Sequence, residues 1–426
     1  MLIGAVADDI TGATDLCLML SRAGLHTVQV MGVPEAADAL PDADAVVIAL
    51  KSRTIPAAAA MEMSLAAARA LLAARTEQLL FKYCSTFDST DDGNIGPVAE
   101  ALMALTGCAL TIACPAFPAN ERTVYKGHLF VGDRLLSESP MKDHPLTPMR
   151  ESDLVRVLGR QTQLPVGLLP AATIAQGAGP VRRAFATAQT AGFRILIADT
   201  LTDADLLTLG EACSDMPLVT GGSGIALGLA ANFVRAGKAT PRPLQARMPA
   251  PAGRAVILAG SCSVATRGQI AAARAAGIPS LALDVAALAE GRQTVAQIAD
   301  WAASQDAATP PLIYSSADPE SLARVQASLG REASGALVEN TLAEVARRLL
   351  PCGFTRFLIA GGETSGAVVG ALGVRSLEIG PEIAPGVPWT RSVSGPDLAL
   401  ALKSGNFGGP DFFLRAWELL DTGATA

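Results

Sequence analysis

The sequence predicts an α/β protein with two α/β domains, each built on a mostly parallel sheet. Three observations point to it. Short apolar runs alternate with alanine-rich stretches of helical period, the pattern of βαβ units. At 426 residues the chain exceeds one ordinary core. Between residues 237 and 253 the alternation stops, and Pro241, Pro243, Pro249 and Pro251 stand among basic residues with no strand or helix period. A linker over 237–254 is therefore expected between a first domain, 1–236, and a second, 255–426.

In order, strands are expected at residues 3–7, 28–31, 45–50, 79–82, 109–113 and 195–199, then at 255–259, 280–284, 312–315 and 357–360. No fixed repeat and no low-complexity tail is present. Residues 114–149 break the alternation with a dense mixture of Pro, Asn, Arg, Tyr, His and Lys. A long irregular segment of this kind reads as a substrate loop or lid, a plain surface insertion being the alternative.

Composition removes several classes of function. The chain is 50% hydrophobic and 17% charged, and much of its positive mean hydropathy of +0.35 comes from alanine. No window approaches the roughly 20 apolar residues of a membrane span, and no signal segment opens the sequence, so cytoplasmic residence is the expectation. Seven cysteines without paired spacing argue for reduced thiols. Three histidines (His26, His128 and His144), with no HExxH and no CxxC, argue against zinc. A net charge of −7 with 4% aromatics lacks the basic, stacking face of a nucleic-acid binder.

The most informative motif is Gly361-Gly362-Glu363-Thr364-Ser365-Gly366-Ala367, between an apolar strand and a small-residue helix. It gathers backbone N–H groups and hydroxyls at a helix N-terminus, where they favour a phosphate; a tight bend is the plain alternative. Gly260-Ser261-Cys262-Ser263 forms a second such joint. Gly405-Asn406-Phe407-Gly408-Gly409 is a candidate close-approach loop, although Gly408-Gly409 alone reads as a tight turn. Residues 216–283 hold no Asp or Glu but include Arg235, Lys238, Arg242, Arg247, Arg254, Arg267 and Arg274, which suggests a positive face. Gly221-Gly222-Ser223-Gly224 does not continue into a dinucleotide fingerprint, because Leu227 takes the third glycine position. No P-loop and no G-x-S-x-G elbow occurs.

At the start, Asp8-Asp9 follow the first strand and Thr11-Gly12-Ala13-Thr14-Asp15 lead into a helix. Acids at the carboxyl end of a strand are placed to meet a substrate hydroxyl. Asp9 or Thr11 as a helix cap is the plain alternative, and Asp15 reads as an offset to the helix dipole. Arg53 and Lys82 at later strand ends would hold a carboxylate, with Ser85 adding a hydroxyl; Lys51 reads as a solvated charge.

Ala7-Asp8-Asp9-Ile10-Thr11-Gly12-Ala13, Gly260-Ser261-Cys262-Ser263 and the Gly361 motif, in that order, resemble the four-carbon acid sugar kinase family over residues 2–414. Lys82-Tyr83-Cys84-Ser85-Thr86-Phe87-Asp88-Ser89-Thr90, the loop of residues 115–122 and Glu138-Ser139-Pro140-Met141-Lys142-Asp143-His144-Pro145-Leu146-Thr147-Pro148 look like its 3-oxo-tetronate kinase branch. Threonate and erythronate kinases of the family carry Lys-x-Asp-Ser-Thr where this chain has Cys84-Ser85-Thr86. The resemblance implies a sugar-acid domain followed by a nucleotide domain, with an interdomain active-site cleft and ATP and Mg²⁺ as cofactors. It implies phosphorylation of the C4 hydroxyl of a 3-oxo-tetronate, with Asp9, Arg53, Lys82 and Ser85 facing the substrate; Asp9 is the candidate base, ground-state binding of the hydroxyl being its alternative, and Asp8, Arg122 and His144 are further candidate substrate residues. Ser261, Gly361, Gly362, Glu363, Thr364, Ser365 and Gly405 would face ATP. No metal ligand is assigned, since Glu363 stands where many relatives have Asp. His144 could equally be a structural, loop-bonded histidine. The alternatives are a D-threonate or D-erythronate kinase and a non-catalytic sugar-acid sensor. The expected partners are a sugar acid and ATP, without nucleic acid or membrane, and a homo-oligomer is compatible with this reading.

Overall fold

The computed structural model describes residues 1–35, 40–144, 147–315 and 330–421, so Pro145 and Leu146 of the His144 motif lie outside the described residues. The chain divides into two compact units, residues 1–244 and 245–426.

In the first unit the strands are β1 (Ile3–Ala7), β2 (Thr27–Met31), β3 (Ala45–Ala49), β4 (Gln78–Lys82), β5 (Thr111–Cys114), β6 (Arg122–Tyr125), β7 (His128–Val131), β8 (Arg134–Leu135), β9 (Val166–Leu169), β10 (Ile195–Ala198) and β11 (Leu218–Gly221). Eight of them form a parallel sheet in the order β2-β3-β1-β4-β11-β5-β10-β9. Both faces are covered, which is why β1, β3 and β4 are buried at every position. The segment expected to be irregular instead folds Arg122–Leu135 into a small antiparallel sheet, β6-β7-β8. Its strands lack the two-sided apolar pattern because one face stays wet.

The glycines of the Gly221-Gly222-Ser223-Gly224 joint permit close approach. A Cβ on Gly222 would lie 2.6 Å from the Pro115 carbonyl oxygen, and one on Gly210 would lie 2.1 Å from the Gly228 carbonyl carbon. The helices Asp203–Ala212 and Ala226–Arg235 therefore pack backbone against backbone.

The second unit holds β12 (Met248–Pro249), β13 (Arg254–Ala259), β14 (Ser280–Ala282), β15 (Leu312–Tyr314), β16 (Phe354–Ala360), β17 (Ser376–Ala384), β18 (Val387–Ser392), β19 (Ala399–Lys403) and β20 (Leu420–Asp421). Its main sheet runs β14-β15-β13-β16-β19-β18-β17, parallel through β19 and antiparallel beyond. Ile257, Leu358, Trp389, Ala401 and Phe413 form part of its core, and the Trp389 indole N–H donates to the Ala416 carbonyl at 2.7 Å. The stretch read as free of regular structure contains β12, which pairs with β20.

In each unit two neighbouring strands send their connections in opposite directions. From β1 the chain runs to β2, while from the adjacent β4 it runs to β5; likewise β13 leads to β14 and the adjacent β16 to β17. Crevices at the carboxyl ends of such strands are where α/β sheets bind ligands.

None of the seven cysteines forms a disulfide: Cys17, Cys108, Cys114 and Cys213 are buried, Cys84 and Cys262 partly so, and Cys352 is exposed. Among the described residues no helix is long and apolar enough to cross a membrane.

Candidate functional site

At the first crevice Ala7 of β1 lies in register with Lys82 of β4 and Ala49 of β3, so the residues following these strands converge. The backbone N–H groups of Ser52 and Arg53 both donate to the Asp8 carbonyl, at 3.0 and 3.2 Å. Asn94 fixes the same turn, its amide donating to the carbonyls of Ser52, Arg53 and Ile55 at 2.7, 3.1 and 3.0 Å. The Arg53 guanidinium then grips Asp8 through Nε at 2.9 Å and Nη2 at 2.7 Å, and Nη2 also reaches Asp9. Arg53 was expected to hold a substrate carboxylate; instead its fork is occupied by the protein's own acids.

Asp9 caps the helix Ile10–Arg22. It accepts from the Gly12 N–H at 3.1 Å and from the Thr11 hydroxyl at 2.8 Å. The Lys82 ammonium, nearly buried, lies 3.6 Å from Asp9. Gly12 makes room for it, since a Cβ there would lie 1.9 Å from Lys82 Nζ. Burial pushes the Asp9 carboxyl up, but Arg53, Lys82, Thr11 and Gly12 together outweigh it and hold the group far below the usual carboxylate range. A carboxylate held this low is ionised and able to accept a hydrogen bond from a hydroxyl, and is a weak base. For Asp8 burial wins over Arg53 and raises the carboxyl. Asp15 does not offset the dipole; it is buried beyond the first turn and accepts from the Ser223 hydroxyl.

The loop after β4 completes this cluster. Phe87 and Asp88 take positive φ of 64° and 26°, which is strained for residues with side chains. Asp88 accepts from Thr86 at 2.7 Å and lies 3.7 Å from Arg53. Ser85 is half-buried on this loop. Burial pushes the Cys84 thiol up to about 12, which leaves it protonated. Arg122 begins β6, donates to the Asn120 carbonyl, and forms no ion pair among the described residues. The His144 Nδ1 accepts from the Thr147 N–H at 3.2 Å and lies 2.9 Å from its hydroxyl, an arrangement that ties the loop together. Lys51 is exposed.

At the second crevice Ala259, Ala360 and Lys403 stand in register across β13, β16 and β19, and the three glycine loops follow them. The loops pack without side-chain filling. A Cβ on Gly260 would lie 2.1 Å from Thr364 Oγ1, one on Gly361 3.2 Å from the Ser261 nitrogen, and one on Gly405 2.5 Å from Ser261 Oγ. Gly361, with φ of 130°, precedes the helix Gly362–Ala371, whose first turn includes Glu363 and Thr364. The Ser365 hydroxyl, wholly buried in that turn, has no partner among the described residues. Such a cradle of backbone N–H groups, with an orphaned hydroxyl and no room for side chains, fits the phosphates of a nucleotide. Among the described residues no group of three or more His, Cys, Asp and Glu could hold a metal.

Two residues escaped the sequence reading. Lys403 is fully buried, donates to Thr266 Oγ1 and to the carbonyls of Ser404, Gly405 and Phe407, and burial pushes its amine down to about 7. Gln269 donates to the carbonyls of Phe407, Gly408 and Gly409 at 3.0, 2.9 and 3.1 Å, so this loop is a built feature and more than a tight turn. A lysine closing an apolar strand was the available signal, as it was for Lys82. Several cations of residues 216–283 are engaged within the protein. Arg235 pairs with Glu211, Lys238 with Glu77 and Arg247 with Asp421, while Arg254 donates to the carbonyls of Ala303 and Gln305.

The chain matches family models for a sugar-binding N-terminal domain over residues 3–229 and for a nucleotide-binding C-terminal domain over residues 256–413. Curated relatives from Burkholderia multivorans and Cupriavidus necator, both named 3-oxo-tetronate kinase, are each 56% identical to it. They cover 99% and 98% of this chain and 98% and 97% of their own lengths. A crystal structure from Salmonella typhimurium LT2 superposes with a TM-score of 0.85 at 43% identity, covering 97% of this chain and 98% of the other. Haemophilus influenzae protein HI1011 does so at 0.78 and 41%, covering 98% and 99%. With the two crevices falling in the two matched domains, the chain belongs to the four-carbon acid sugar kinase family.

Proposed function

We propose that this protein is an ATP-dependent kinase that phosphorylates the C4 hydroxyl of a 3-oxo-tetronate (3-dehydro-erythronate). The observation that carries the reading is the pairing of two unlike crevices in one chain that is 56% identical to curated 3-oxo-tetronate kinases. One crevice gathers acids and hydroxyls, and the other is a glycine cradle.

In this reading Asp9, with Lys82 beside it, accepts a hydroxyl of the sugar acid and orients it. Arg53 and Asp8 hold Asp9 in place. Arg122, free of protein carboxylates among the described residues, and Lys82 are assigned to the anionic end, with Ser85 and His144 on the surrounding loops. Gly361, Gly362, Thr364, Ser365, Ser261 and Gly405 would cradle the phosphates. Mg²⁺ would arrive on those phosphates, with Glu363 as the acid of the same turn, and would neutralise charge developing on them. Phosphoryl transfer depends chiefly on alignment and charge stabilisation, which this division of labour supplies without a strong base. Cytoplasmic residence belongs to the same proposal, and cysteines outside any disulfide suit a reducing compartment.

Coupled ADP release with Mg-ATP tests it against 3-oxo-tetronates, D-threonate and D-erythronate. Turnover with the 3-oxo acid is expected. Turnover confined to the reduced acids would overturn the substrate, and none with folded protein would favour a binding protein.

A further inference from the structure

We propose that Lys403 is a positioning residue of the nucleotide site, holding the backbone after β19 in the curve that sets Gly405 against Ser261 and Ser263. The inference rests on the nucleotide reading of the glycine cradle.

Lys403 is 0% exposed and pairs with no carboxylate among the described residues. A buried ammonium without a counter-ion is unfavourable unless dipoles surround it. Here four oxygens do so: Thr266 Oγ1 at 3.0 Å and the carbonyls of Ser404, Gly405 and Phe407 at 2.9, 2.9 and 3.2 Å. Three of the four belong to the five residues from Lys403 to Phe407, so the side chain folds back on its own loop. The Gly405 carbonyl is the focus. It accepts from Lys403, from Thr266 Oγ1 at 2.8 Å and from the Ser263 hydroxyl. With that carbonyl fixed, the Gly405 Cα faces Ser261 and Ser263, where a Cβ would lie 2.5 and 3.2 Å from their hydroxyl oxygens. A residue kept for packing alone would be apolar, like Leu400 and Leu402 of the same strand. Lys403 touches no reacting atom in this account; it acts through Gly405 and its neighbours.

Lys403→Met keeps the stem and removes the donors. Steady-state kinetics with Mg-ATP and a 3-oxo-tetronate, together with ATP-dependent thermal shifts, read the result. The expected outcome is a KM for ATP raised by about tenfold or more, with the KM for the sugar acid within about twofold of wild type. A folded variant whose KM for ATP stays within about twofold overturns the proposal. If Lys403→Met does not fold, Thr266→Val removes one acceptor of Lys403 and one donor to Gly405. It should raise the KM for ATP by about threefold and leave that for the sugar acid alone; equal changes in both, or none, overturn the proposal. A wild-type protein with neither turnover nor an ATP-dependent shift overturns the nucleotide reading itself, an outcome distinct from unchanged ATP use by the variant.

Discussion

Arg53→Met should destabilise residues 1–244 by about 3–4 kcal/mol at about pH 7, and the loss should shrink as the pH falls. The guanidinium donates twice to Asp8, at 2.9 and 2.7 Å, and reaches Asp9 as well. Asp8 is 6% exposed, so without Arg53 its charge is left out of water and unpaired. Taking up a proton is its escape. From an ordinary aspartate at about 3.9, holding the neutral form at about pH 7 costs at most about 4 kcal/mol, at about 1.4 kcal/mol per pH unit. Burial already pushes Asp8 upward, so the loss stops short of that ceiling. The sign follows from linkage: a folded pKa raised above the unfolded one means the penalty is absent below the unfolded value and grows as pH rises toward the folded one. Urea unfolding at about pH 7 and about pH 5 should therefore differ by about 2 kcal/mol in the effect of the substitution. Trp301, Trp389 and Trp417 all lie in residues 245–426, so far-UV circular dichroism that changes without tryptophan fluorescence reports the first unit. Adding Asp8→Asn should restore at least half of the loss. A loss under about 1 kcal/mol with a raised KM for the sugar acid would refute the reasoning and return Arg53 to the substrate.

Two further outcomes follow from the same geometry. Asp9→Asn should lower kcat by less than about tenfold while raising the KM for the sugar acid, because a group held far below the usual carboxylate range is a weak base; a fall of about 10²-fold or more in kcat would make it one. Ser365→Ala should leave the melting temperature of the ligand-free protein unchanged or raise it by an amount worth about 1 kcal/mol, because it removes a buried hydroxyl without a partner, and should weaken ATP binding. A melting temperature lowered by several degrees would show that the hydroxyl is already satisfied.

Much of both crevices was legible because strand ends are punctuated locally. Asp8-Asp9, Lys82, Gly260 and Gly361 each interrupt an apolar run, and a parallel sheet carries such interruptions to one edge. What the sequence hid was pairing across distance. Nothing near Arg53 reveals that Asp8, 45 positions earlier, occupies its guanidinium, or that Asn94 fixes its turn. The acid-free stretch shows the same thing: Glu77, Glu211 and Asp421 come from outside it to pair with Lys238, Arg235 and Arg247. Lys403 ends β19 as Lys82 ends β4, and the strand-end rule applied at one position was available at the other. The small sheet β6-β7-β8 was missed because its strands are only four, four and two residues long and half-exposed, too short for a period to show among the Pro, Asn, Arg and Lys around them.

The distribution of thiols gives the protein a chemical handle. Burial pushes Cys114 up to about 11 and Cys84 to about 12, and it raises Cys17, Cys108 and Cys213 as well, so none of them presents the thiolate that oxidants and alkylating agents attack. Cys352 alone is exposed, in the turn that leads into β16. A maleimide dye should therefore mark that position first. It would sit at the far end of a seven-residue strand from the Gly361 cradle, about 20 Å away, near enough to sense the loop and too far to block it.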